Sequence, residues 1–131
     1  MKINESTLRK IIREELFSGL DALLQWRSKF ENVLETVLMD LEDMGCPSND
    51  PGYKKISDAL DALGRVRISR DEDPTVAHDQ MMNVVSAARG AVKTCSGIGS
   101  SEARKIRDDI LSALTEYSDW VYSPDSGLKI A

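Results

Sequence analysis

The sequence predicts an all-α protein: an antiparallel four-helix bundle preceded by a short N-terminal amphipathic helix. Three observations carry that expectation. Apolar residues recur at helical spacing along most of the chain, breaks rich in Gly, Pro and Asp separate the patterned runs, and each break is short. A chain of 131 residues is about the size of one domain. The expected organisation is a leader or docking helix over 1–17, a bundle over 18–123 and a flexible tail over 124–131.

The first patterned run, 3–16, places Leu8, Ile11, Ile12 and Leu16 on one side, with Arg9, Lys10, Arg13 and Glu14 around the other. So short a helix is marginal alone and needs a surface to dock on. Ser18-Gly19 is read as a break, with Ser18 capping the next helix. That long helix is expected from about 20 to 44. Leu23, Phe30, Val37 and Met44 recur every seventh position, Leu20, Leu34 and Leu41 interleave with them, and Arg27 fills the remaining place. Trp26, Val33 and Leu38 widen this stripe to the breadth that a helix with two neighbours requires.

Gly45 should stop the long helix, and Asp50-Pro51 should cap and start the next, whose face is Ile56, Leu60 and Leu63 and whose end is weakened by Gly64. Asp73-Pro74 repeats the device. Ala77, Met81, Val84, Val85, Ala88 and Val92 then mark a helix ending near Cys95. Ser100 is the expected cap of the last helix, Ala103, Ile106, Ile110, Ala113, Leu114, Tyr117 and Val121 its buried face, and Pro124 its stop. The helix after Pro51 looks too short to cover the whole stripe of the long one. An uncovered stripe predicts self-association, with a homodimer as the simplest case.

Seventeen Lys and Arg against twenty-two Asp and Glu leave a net charge of -5, which favours solubility and opposes wrapping of nucleic acid. No apolar run is long enough for a membrane span and no secretory signal precedes the first helix, so a cytoplasmic location is expected. Cys46, Cys95 and the single histidine, His78, are too few and too scattered for a metal site. Two reduced, partly buried thiols and a surface histidine are expected, with a disulfide as the alternative. No Glu-x-x-His unit or phosphate loop occurs, so no catalytic residue, metal or cofactor is expected.

Binding is therefore the expected mode of action. Leu8, Ile11, Ile12, Leu16 and Trp26 are the candidate contacts for a protein partner. Arg65, Arg67 and Arg70, preceded by Lys54-Lys55, are the candidate contacts for nucleic acid, although Asp71-Glu72-Asp73 can neutralise them internally.

The stretch Met1-Lys2-Ile3-Asn4-Glu5-Ser6-Thr7-Leu8-Arg9-Lys10-Ile11-Ile12-Arg13-Glu14-Glu15-Leu16 resembles the N-terminal leaders found on otherwise unrelated proteins of large tailed bacteriophages. Such leaders direct a protein into an assembling head and can be cleaved after a glutamate. The resemblance implies that Leu8, Ile11 and Ile12 form a docking face, that Glu14 or Glu15 is a cleavage position, and that the protein resides in the host cytoplasm or the virion. It stops at Phe17. Together these readings point to a non-enzymatic helical interaction or assembly protein, with a nucleic-acid-binding regulator and an inhibitor of a host defence protein as rivals.

Overall fold

Asp50 and Asp73 each precede a proline, and each closes the start of a helix. Asp50 accepts hydrogen bonds from the backbone N–H groups of Gly52 at 2.9 Å and Tyr53 at 3.2 Å, and Asp73 accepts one from Thr75 at 2.9 Å. Pro51 and Pro74 sit in the first turn, where a missing N–H leaves nothing unsatisfied. In the computed structural model these devices begin two of four helices: α1 (Glu5–Asp43), α2 (Pro51–Gly64), α3 (Pro74–Ala91) and α4 (Ser100–Val121), followed by a 3₁₀ turn at Pro124–Ser126. The structure describes residues 5–69, 71–92 and 99–128, with side chains from residue 19 onward except at Asp125. Among the described residues there is no strand, and the fold is an all-helical four-helix bundle.

The end of α1 is set by its glycine. Gly45 has φ 91°, a left-handed conformation that a Cβ disfavours. Its N–H donates to the Glu42 carbonyl at 3.0 Å, and the N–H of Cys46 reaches back to Leu41 at 2.8 Å. These two bonds are those of a Schellman cap, and the apolar contact that accompanies such caps is supplied by buried Leu41 and Cys46.

Four expectations are corrected. The first concerns Ser18-Gly19, which does not break the chain: α1 is one helix of 39 residues. Gly19 is a close-approach site instead, since a Cβ there would lie 2.6 Å from the Ser126 carbonyl oxygen. A mid-helix glycine costs only about 1 kcal/mol, which the contact with the chain's end offsets. The second stems from that contact. Of the tail expected over 124–131, Pro124–Ser126 form a 3₁₀ turn, Ser126 is buried, its hydroxyl donates to the Val121 carbonyl at 3.0 Å, and Leu128 packs against the core, while 129–131 lie outside the described residues. Third, Ser100 does not cap α4. Gly99 holds the cap position without a side-chain bond, and the acid at Glu102 faces the positive end of the helix. Fourth, Cys46 is buried and disulfide-bonded rather than a reduced thiol. The chain's one other cysteine, Cys95, lies outside the described residues.

Cross-helix contacts fix the directions. Gly19 lies against Ser126, Trp26 against Trp120 and Tyr117, and Lys29 against Glu116, so α1 and α4 run antiparallel. Tyr53 pairs with Glu42 and the Val66 carbonyl accepts from Arg27, so α2 descends beside α1. His78 meets Tyr117, and Arg107 donates to the Val92 carbonyl, so α3 and α4 are also antiparallel. The base of the bundle holds the end of α2, the start of α3 and the end of α4. Its core is the α1 stripe, with Leu23, Phe30 and Leu34 at 0% exposure, closed by Ile56, Met81 and Ile110 from the other helices. From Leu20 to Leu41 the centre of that stripe, Leu20, Leu23, Phe30, Leu34, Val37 and Leu41, is buried, and Trp26, Val33 and Leu38 at its margins are partly buried, so the bundle leaves no wide exposed stripe there.

Candidate functional site

At roughly 1.5 Å per residue, α1 is about 58 Å long and α4, the longest of its companions, about 33 Å. Their antiparallel register places Gly19 level with Ser126, past the last turn of α4. Residues 5–18 therefore continue α1 for about 20 Å below the base, with no other described helix alongside. We call this segment the arm. At roughly 100° per residue, Leu8, Ile12 and Leu16 fall within about 20° of the directions taken by Val37, Phe30 and Leu23, so the core stripe runs on into the arm. Ile11 lies at the edge of that stripe. The side chains of Leu8, Ile11, Ile12 and Leu16 are outside the described set, and the continuous backbone alone fixes their positions on the helix.

Trp26, the remaining candidate for partner contact, is half-buried within an aromatic cluster. Its ring centroid is 5.8 Å from Phe30, 5.5 Å from Tyr117 and 6.3 Å from Trp120, and the Lys29 ammonium lies 4.5 Å over its face. Trp26 and Trp120, with Ala22, Gln25 and Lys29, line an open recess of about 340 Å³ near the base. The structure thus places Trp26 some two turns above the arm rather than on it.

The basic cluster is only partly described. Arg65 and Arg67 are exposed at the base, just beyond α2, while Arg70 lies outside the described residues. The ion pairs among the described residues, Arg27–Glu31 at 3.6 Å and Lys29–Glu116 at 3.0 Å, include neither of them.

Two features are not evident from the sequence. Arg27 occupies a core position of the α1 stripe, where its Nη1 donates at 2.7 Å to the carbonyl of Val66, just past the C-cap of α2. Its Nε is buried without a hydrogen bond, the Glu31 carboxylate being too distant. His78, expected at the surface, is 3% exposed. Its Nδ1 is 2.8 Å from the Tyr117 hydroxyl and its Nε2 3.0 Å from that of Tyr122, so the neutral ring donates through one nitrogen and accepts through the other. Burial holds the imidazole below its ordinary pKa against the opposing charge of Asp79, and burial also pushes the Tyr117 hydroxyl up. The only advance signal was position: His78 adjoins Ala77 and lies three residues before Met81, both core residues.

Among the described residues no three His, Cys, Asp or Glu side chains converge as a metal site, and no helix is long and apolar enough to cross a membrane. Fold and geometry together define a class: a four-helix bundle whose first helix extends into an arm. Comparison of the chain with protein-family models, curated proteins and solved structures finds no match.

Proposed function

We propose that the protein is a non-enzymatic interaction or assembly protein whose arm docks on a protein partner. The supporting observation is the continuation of one apolar stripe about 20 Å beyond the helices that cover it. Because the bundle already holds α1 as a helix, the arm needs no separate nucleation. Ordering it against a partner therefore costs less than folding a free peptide would. The resemblance to phage leaders supports a place in head assembly. Its cleavage position at Glu14 or Glu15 falls within continuous helix, so processing there requires local unwinding. Of the two locations expected, the virion suits the disulfide at Cys46 better than a reducing cytosol does.

The test is partner capture with the full chain and with a variant carrying Leu8→Ala, Ile12→Ala and Leu16→Ala. Loss of a stoichiometric protein partner from the variant is the expected result; equal capture by both would remove the arm from the function. A second reading, nucleic-acid binding, rests on the exposure of Arg65 and Arg67 at the base. It requires retention that falls steeply with salt and disappears when both arginines are changed to glutamate.

A further inference from the structure

On the flank away from α1, the surfaces of α2 and α3 leave an apolar channel. One recess of about 280 Å³ is bounded by Lys55, Asp58, Ala59, Ala62, Val84 and Ala87. A second, of about 220 Å³, shares Ala62 and Val84 and ends at Arg65. Together they run most of the length of α2, about 21 Å, which is the length of the arm. The chain's own arm cannot reach this channel, because it belongs to the same unbroken helix as α1 and leads away from the base.

We propose that the channel receives the arm of a second copy, and that two copies exchange arms reciprocally, base to base, about a two-fold axis. This rests on the reading of the arm as a docking element. Charge along the two helices supports it. On the arm, Glu5, Arg9 and Arg13 form a row at i, i+4 and i+8 that flanks one side of the Leu8, Ile12 and Leu16 stripe. On α2, Lys54, Asp58 and Asp61 share one exposed face at i, i+4 and i+7, and Asp58 of that row lines the channel. The signs are opposite at each step: acid against base, then base against acid twice.

Handedness selects the direction. With the stripe facing the channel, the arm's charged row lies over α2 only when the arm runs parallel to α2. In that direction Glu5 comes level with Lys54, Arg9 with Asp58 and Arg13 with Asp61. Along α3 the facing rim is Gln80 and Asn83, which are uncharged and exposed and oppose nothing. Running parallel to α2, the arm descends past the base, where the second copy's own bundle begins at its Gly19. The same operation lays the first copy's arm on the second copy's channel, so the contact is isologous and closes at two chains. In this arrangement the leucine and isoleucine positions of the arm lie over Ala59, Ala62 and Ala87 of the channel, matching large residues to small ones.

The test is sedimentation equilibrium of the full chain and of charge-reversed variants, with circular dichroism confirming that each is folded. The wild-type mass should be that of two chains at tens of micromolar. Arg9→Glu with Arg13→Glu should weaken association about tenfold or more, as should Asp58→Lys with Asp61→Lys, because each turns attraction into repulsion at both contacts. An equimolar mixture of the two variants should recover the dimer. A wild-type mass of one chain at hundreds of micromolar, or a dimer indifferent to both reversals, would overturn the proposal. A wild-type monomer that still loses a different partner when Leu8, Ile12 and Leu16 become alanine would defeat self-exchange alone. If the alanine variant changes neither property, the docking role of the arm fails as well.

Discussion

Helix α1 carries one apolar stripe through two environments. From Leu20 to Leu41 three helices cover it, and Leu23, Phe30 and Leu34 reach zero exposure; from Glu5 to Ser18 the same helix runs on with no other described helix beside it. The spacing of apolar residues is much alike in the two parts. Amphipathic periodicity therefore specifies that a face will be covered, and the lengths and directions of the other helices decide whether its own chain can do the covering.

Substitutions should separate the two parts by their energetic weight. Phe30→Ala removes a fully buried ring that meets Trp26 and Tyr117, and denaturant unfolding should report a loss of about 3–5 kcal/mol. Ile12→Ala, in the arm, should cost well under about 1 kcal/mol at a protein concentration where the chain is alone. A comparable loss at both positions would break the distinction.

Glycines sharpen it at the boundary. Gly19→Val should destabilise by about 1–3 kcal/mol, since its new atoms meet the Ser126 carbonyl and Leu128. Gly64→Ala, where an added Cβ meets nothing within 4 Å, should stabilise by up to about 1 kcal/mol. Thermal melts of the two variants should therefore move in opposite directions.

A smaller effect depends on pH at the base. Because His78 has a lower pKa folded than unfolded, the unfolded chain binds the proton more readily. Its contribution is present above the unfolded value of 6.5, and it is lost as pH falls from there through the folded pKa. Unfolding midpoints of the wild type should drop across that window, and His78→Gln should flatten the slope. The smallest effect is expected at Glu116→Gln, which breaks an exposed pair with Lys29 and should move stability by no more than about 0.5 kcal/mol.

Much of the bundle was legible because its signals are local. Asp50-Pro51, Asp73-Pro74 and Gly45 act through bonds spanning a few residues, and each worked where the sequence put it. The features that were misread depend on distant partners. Gly19 has the composition of a helix break, and only the arrival of Ser126 and Leu128 turns it into a packing site. His78 next to Asp79 has the look of a surface residue until Tyr117 and Tyr122 enclose it, and Arg27 is an anomaly in a core stripe until the Val66 carbonyl is in view. Of the candidate contacts, the spacing of Leu8, Ile11, Ile12 and Leu16 was readable from the start. That they extend the stripe of the long helix was not, because it requires the helix to run unbroken through Gly19.

Amide hydrogen exchange on the full chain, measured from submicromolar to high micromolar concentration, tests this two-environment view most directly. Amides of 20–41 should be strongly protected throughout, whereas those of 5–18 should exchange quickly when dilute and gain protection as the concentration rises. Protection of 5–18 equal to that of 20–41 at the lowest concentration would contradict it, because the arm would then be covered by its own chain.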